Sequence, residues 1–379
     1  MILSLLLFAS LLAIAETYAF FPWRMMRKSN DFTERGEDPE VWPEVALLLA
    51  AYNEEAVMEE KLKSMLNSDY PADKIRIVVG SDRSSDRTDE IVKQFAASDA
   101  RVQLRRFEER TGKPAIINQL VSESQETILV LSDADTFFEP HTLKALVRPF
   151  SDAKVGGVQA KFISKADGEN NVARQELVYN DRELMLKRGE SVDGAVIGAY
   201  GACYALRRAV YVPVPAGFLV DDFYIFMKVL EQGYQTVLSD AATCLLELSG
   251  ASEVEFKRKT RIGKGNFQNF FALKKFQNPF TGKVATYYWS HKVLRWFTPF
   301  LLLIAFFSNL ALIGEDRLYV SLFATQCFGY ALAILDIPLR WMNIHIAPIR
   351  FISHFLSMNI ALFLGFLQYL QGKGNGTWK

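Results

Sequence analysis

Cysteine is scarce in this chain of 379 residues: Cys203, Cys244 and Cys327 are an odd number with no metal-ligating spacing. They fit a reducing compartment and read as inert core or membrane residues. Net charge is absent as well. Lys and Arg total 43 against 43 for Asp and Glu, so nothing in the balance argues for a nucleic-acid partner. There is no internal repeat and no low-complexity tract. A phosphate-binding P-loop is also missing: Gly112-Lys113-Pro114 has the lysine, but Phe107 stands where the first glycine would be.

Long apolar runs are present, and they crowd the two ends. Residues 1–23 are uncharged except for Glu16, and residues 296–314, 318–335 and 351–372 are each near the length of a bilayer core. Ala13-Ile14-Ala15 looks like a signal-peptide cleavage site. However, no basic residue precedes the first run, and Arg24, Arg27 and Lys28 follow it. The expectation is a retained anchor over residues 1–23, with the following domain held in the cytoplasm by the positive-inside rule. Residues 24–43 read as a linker and 44–250 as the main domain. In the segment 251–292, Lys257, Arg258, Lys259, Arg261 and Lys264 precede Phe267, Phe270 and Phe271. This predicts an amphipathic helix lying on cytoplasmic lipid. Residues 293–372 then hold about three spans, before a tail at 373–379. Pro338, Arg340, Pro348 and Arg350 interrupt the pattern before the last run, which leaves a partly interfacial reading open for it.

The main domain alternates strand and helix. Val45 to Ala50 is continuously apolar, as a strand covered on both faces is. Further strands are predicted at 75–79, 102–106, 128–131 and 155–160. Helical patterns fall at 57–66, 88–97, 114–124, 140–150 and 169–188. This order predicts an α/β fold with a mainly parallel sheet and helices on both faces.

Acidic and small residues sit where those strands end, and in open α/β sheets ligands bind at the strands' carboxyl ends. Ser132-Asp133-Ala134-Asp135 follows the fourth strand. Two carboxylates two residues apart point the same way along an extended chain, and together they suit a hard divalent cation and its diphosphate. The first strand ends in Ala50-Ala51-Tyr52-Asn53-Glu54-Glu55, whose small residues admit a planar ligand. The second ends in Gly80-Ser81-Asp82, which places Asp82 to accept hydrogen bonds from a base N–H. Asp86 and Thr88 are candidates to cap the next helix. Lys113, after the third strand, is placed to approach a phosphate or the base. Asp221 and Asp222 open a helix whose apolar face is Phe223, Phe226, Met227 and Leu230, closed by Gly233. Capping accounts for one of those acids better than for two. Gly198 to Ala205 is a small-residue loop entering a strand, suited to shaping a sugar pocket.

Taken together these elements resemble the family 2 glycosyltransferases of GT-A fold, over about residues 45–265. Ala51-Tyr52-Asn53-Glu54-Glu55 looks like the family's first-strand signature and Gly80-Ser81-Asp82 like its uracil-contacting loop. Asp133-Ala134-Asp135 is similar to its metal and diphosphate site, and Val220-Asp221-Asp222 to its acidic pair. The resemblance implies Mg²⁺ or Mn²⁺ on Asp133 and Asp135 and a catalytic base at Asp222. It also implies donor contacts from Ala51, Tyr52, Glu54, Asp82, Lys113, Asp133, Asp221 and Arg261. The reaction implied is inverting transfer from a UDP- or GDP-sugar to a lipid-linked or glycan acceptor, in a protein embedded in membrane lipid. Processive synthases of the family carry Gln-x-x-Arg-Trp before their spans. Here the place reads Arg258-Lys259-Thr260-Arg261-Ile262, so only Arg261 fits, and transfer of one or a few sugars is expected. The competing readings are a processive synthase with a degenerate motif, an inactive membrane scaffold and a membrane nucleotidyltransferase.

Overall fold

The computed structural model describes residues 1–165, 171–247, 252–342 and 344–372. The expected tail, residues 373–379, lies outside them. The chain divides into two units: one holds Met1–Trp23, Ala251–Ala272 and Tyr288–Lys373, the other Arg24–Gly250 and Leu273–Tyr287.

The chain begins with α1 (Ile2–Ala15), a π-turn, and α2 (Phe21–Lys28). The linker that follows is pinned rather than loose: Arg35 donates to the carbonyls of Ser191 and Val192, and Ala241 N donates to Glu34. Next come β1 (Val45–Ala51), α3 (Glu55–Leu66), β2 (Ile75–Ser81), α4 (Thr88–Ser98), β3 (Val102–Arg106), α5 (Lys113–Ser122) and β4 (Ile128–Ser132). They are followed by β5 (Thr136–Phe138), α6 (Thr142–Val147), β6 (Val155–Lys165), α7 (Asn171–Val192), β7 (Cys203–Arg207), α8 (Asp221–Glu231) and β8 (Gln235–Glu247). The remaining helices are α9 (Ser252–Ala272), α10 (Lys283–Tyr288), α11 (Leu294–Leu312), α12 (Arg317–Trp341) and α13 (Ala347–Leu370).

Among the described residues, eight strands form one sheet in the order β3-β2-β1-β4-β7-β6-β8-β5. β3, β2, β1 and β4 run parallel, as the sequence predicts. Every residue of β1 is buried, which explains its unbroken apolar run. The other half is mixed: β7 is antiparallel to both β4 and β6, while β6 pairs in parallel with β8. This reversal positions the site. Ser132, the last residue of β4, pairs with Cys203, the first of β7. A strand running the other way brings its entering loop to the edge where parallel strands present their ends, so residues 198–202 join the loops after β1, β2 and β4.

The core is built from strand residues such as Leu47, Val79, Val130 and Ala205, packed with Met58, Leu62 and Met65 of α3 and Leu146 of α6. Truncating one of these, such as Leu47→Ala, costs about 2–5 kcal/mol. β6 runs past its expected end at residue 160, with an irregularity in register at Ala160/Lys161. α6 stops at Val147, and a 3₁₀ turn containing Pro149 takes the rest of the expected helix.

Among the described residues, four helices are long and apolar enough to cross a membrane: Ile2–Asp31, Lys283–Leu312, Arg317–Trp341 and Ala347–Leu370. Pro338 sits three residues before the end of α12, and Pro348 opens α13, where proline is tolerated. The aromatic face of α9 is divided: Phe271 stays exposed, while Phe267 is buried. Phe267 packs on Phe297, Phe300 and Phe366, and Gly263 lies against Gly365 of α13. A Cβ at Gly365 would stand 2.7 Å from the Thr260 carbonyl, so glycine sets this crossing. Asp336 of α12 takes Arg340 at 2.7 Å and Arg350 of α13 at 3.0 Å, and the pairing offsets the cost of a buried carboxylate.

Candidate active site

The loops after β1 and β2 are latched to one another. Asn53 N donates to Ser84 Oγ and Ser85 N to Asn53 Oδ1, at 3.2 and 2.9 Å. Glu54 N donates to Thr88 Oγ1 and Glu55 N to Asp86, at 2.8 and 3.0 Å. Asn53 and Arg83 both adopt positive φ, the bends by which the chain leaves the two strands. Asp86 also accepts from Thr88 N at 3.0 Å, a structural task at the head of α4.

Ala51 ends β1, and its carbonyl accepts from Asp82 N. The Asp82 side chain is wholly buried. Its Oδ1 accepts from Thr111 N at 2.6 Å, and its Oδ2 from Gly112 N at 3.2 Å and Arg110 Nε at 3.1 Å. A carboxylate has about four lone-pair sites, so in this arrangement most of its capacity shapes the loop before α5. The Arg110 guanidinium lies 3.4 Å from the centroid of the Tyr52 ring. Neither contact was apparent from the sequence, because Arg110 sits in a charged loop with no distinguishing pattern.

Three predicted site residues converge on Gly201. A Cβ there would lie 3.1 Å from Asp133 Oδ2, 3.2 Å from Asp222 Oδ2 and 3.6 Å from Lys113 Nζ. Glycine is what lets the backbone come so close. Gly198 is equally constrained, with φ of +70° and the Phe223 ring where a Cβ would stand. Asp133 N donates to the Ala202 carbonyl at 3.2 Å, which holds the acidic turn to the glycine loop.

Lys113 is ion-paired with Asp133. Burial works against its ammonium, but Asp133, Asp221 and Asp222 outweigh that and hold it charged well above an ordinary lysine. Asp222 accepts from Phe223 N at 2.8 Å. Burial, then the charges of Asp221 and Asp133, push its carboxyl up to about 7, against the pull of Lys113. Asp221 is buried at the first position of α8. Gln232 is the C-cap of α8, and Gly233 follows it with φ of +88°, its N–H donating to the Leu230 carbonyl.

Asp135 is raised by burial and by the negative charges of Asp133 and Glu54. This is the electrostatic signature of a place that a cation would relieve. Among the described residues, no three His, Cys, Asp or Glu side chains are gathered to hold a metal ion. Arg261 lies on α9, in the helical unit.

One residue of the neighbourhood was not anticipated. Lys61, on the apolar stripe of α3 with Met58, Leu62 and Met65, is fully buried beneath the acidic turn. Burial lowers it to about 8, opposed by Cys203, Cys244, Asp133 and Asp135. A lysine at an i, i+3, i+4, i+7 core position is the signal that marks it. Cys203 and Cys244 are buried beside it, and burial and Cys203 push the Cys244 thiol up.

Residues 47–212 match the family model described as glycosyl transferase family 2. The chain is 26% identical over 257 residues to "Probable glycosyltransferase YdaM" of Bacillus subtilis, covering 62% of this chain and 59% of that protein. It is 34% identical over 168 residues to the beta-monoglucosyldiacylglycerol synthase of Trichormus variabilis, covering 44% and 36%. The chain therefore spans less than two thirds of the length of these relatives. A solved mannosyltransferase of Pyrobaculum calidifontis, in complex with GDP-Man and Mn2+, superposes with a TM-score of 0.73 at 22% identity, over 98% of this chain and 100% of that one. With the strand order and the acidic strand ends already in place, residues 47–212 resemble a glycosyl transferase family 2 domain, and the chain has the GT-A fold of the solved mannosyltransferase.

Proposed function

We propose that the chain is an inverting glycosyltransferase that moves a sugar from a UDP- or GDP-sugar to a lipid-linked or glycan acceptor at the cytoplasmic face of a membrane. The observation that carries this reading is the convergence of Asp133, Asp222 and Lys113 on Gly201. Asp222 is poised near neutrality, where a general base works best. As the acceptor oxygen bonds to the anomeric carbon, its proton passes to Asp222 and the bond to the diphosphate breaks on the opposite face, inverting the centre. Ala51, Tyr52, Glu54 and Asp82 lie along the donor side, and Lys113 offers positive charge next to Asp133.

The carboxylates of Asp133 and Asp135 are hard oxygen donors that fit Mg²⁺ or Mn²⁺, with the diphosphate and water completing the shell. When bound, such a cation neutralises charge on the departing diphosphate. The mannosyltransferase solved with GDP-Man and Mn2+ supports a metal, and the diacylglycerol-glucosylating relative supports a lipid acceptor. Arg24, Arg27 and Lys28 after the first apolar helix support the cytoplasmic placement.

The test is nucleoside diphosphate release from a panel of UDP- and GDP-sugars, with Mn²⁺ or Mg²⁺, beside Asp135→Ala. Release from one donor, lost in the variant and on chelation, is the expected result. Pyrophosphate as product would make the protein a nucleotidyltransferase. An absence of both binding and release with every donor would leave a scaffold, and long products from one encounter would mean a processive synthase.

A further inference from the structure

Lys61 places a charge where the pattern of α3 asks for an apolar residue. Its ammonium donates to Ser132 Oγ at 2.7 Å and to the Thr136 carbonyl, and the Phe138 ring centroid lies 4.5 Å away. Ser132 and Thr136 bracket the Asp133-Ala134-Asp135 turn. Ser132 Oγ also donates to the Ala202 carbonyl at 2.6 Å, beside Gly201. One buried cation therefore grips both ends of the acidic turn and, through Ser132, the glycine loop opposite.

Packing does not account for this residue. Burying an ammonium is costly, and apolar side chains of similar volume in place of buried ions are often neutral or stabilising. What the lysine supplies and methionine lacks is two hydrogen bonds, one to the Ser132 hydroxyl and one to the Thr136 backbone carbonyl, and a positive charge beneath the acidic turn. We propose that Lys61 is a positioning residue that holds Asp133 and Asp135 ready for a divalent cation and a nucleoside diphosphate while touching neither. The proposal rests on the glycosyltransferase reading above. Groups that support metal ligands from behind commonly contribute 10–100-fold in metal affinity.

The experiment is calorimetric titration of Mn²⁺, with UDP or GDP present, into the purified full chain, its Lys61→Met variant and its Ser132→Ala variant, beside thermal unfolding of each. Lys61→Met is expected to unfold at the wild-type temperature or above it, yet bind Mn²⁺ about 10–100-fold more weakly. Ser132→Ala should show a smaller loss in the same direction. Unchanged Mn²⁺ affinity in a folded Lys61→Met protein would overturn the proposal and leave the lysine a structural role. If Lys61→Met does not fold, unchanged affinity in Ser132→Ala overturns it instead. Wild-type protein that binds no Mn²⁺ with either nucleotide would sink the functional reading and this proposal together, whereas wild-type binding matched by the variants sinks this proposal alone.

Discussion

Lys113, the first residue of α5, is ion-paired with Asp133 at the end of β4, and the same ammonium lies in the field of Asp222. A single cation thus links the acidic turn and the proposed base. Its charge pulls the raised Asp222 carboxyl back toward ionisation.

Removing that cation should shift the pH profile in a defined direction. Asp222 must be ionised to accept a proton, so activity is expected to rise through about pH 7. Lys113→Met removes a charge that favours ionisation, and the rising limb of kcat/KM should move upward by about one pH unit. An unmoved limb with lower activity would mean that Lys113 acts on the donor alone.

Asp222→Asn should lower turnover at least about a hundredfold while leaving nucleoside diphosphate binding in place. Stability should follow the opposite course. The folded pKa is raised above that of the unfolded chain, so ionising Asp222 lowers stability progressively as pH rises from about 4 to about 7. The variant is therefore expected to unfold at an equal or higher temperature than the wild type at pH 8, with the difference gone near pH 4. Near-normal turnover would refute the base assignment.

Gly201→Ala tests the convergence itself. The new methyl would stand 3.1–3.2 Å from the Asp133 and Asp222 carboxylates, which must give by a few tenths of an ångström. Misplacement on the scale of an ångström costs about a hundredfold, so a loss of about tenfold in kcat is expected, with little change in the unfolding temperature. A variant as active as the wild type would show that these side chains need not meet there.

Asp193 offers a stability test outside the site. It accepts from Lys28, Lys283 and Tyr287, with Lys283 at 2.7 Å. Partial burial alone would raise its carboxyl, but these bonds hold it at about 2. A depressed folded pKa gives stability that is complete above the unfolded value and lost as pH falls through about 2. Asp193→Asn should lower the unfolding temperature by about 3 °C or more at pH 7, and the gap to wild type should narrow below about pH 4. An equal gap at pH 7 and pH 3 would show that charge is not what these bonds supply.

Much of this was legible in the chain. Strands buried on both faces must be continuously apolar, so β1, β2 and β4 stand out, and helices with an apolar stripe and a glycine stop, such as α8, do too. The acids at strand ends were likewise readable, because topology decides where parallel strands deliver ligands. Asp82 was less so: its carboxylate is largely used by Arg110, Thr111 and Gly112, partners in a loop without periodicity. The surroundings of α9 are hard to read for a similar reason, since a basic helix with an aromatic face looks the same whether that face meets lipid or Phe297 and Phe366.

By itself, then, the sequence determined the alternation of strand and helix, the apolar helices at both ends, and which acids stand at strand ends, because local periodicity and turn chemistry carry that information. Only the tertiary structure decided that β7 runs against β4. That reversal joins Ser132 to the Ala202 carbonyl across 70 residues and brings Gly201 between Asp133 and Asp222. It also decided that Lys61 lies beneath the acidic turn. Contacts of this kind depend on strand order and on which faces pack together, and no local pattern along the chain records either.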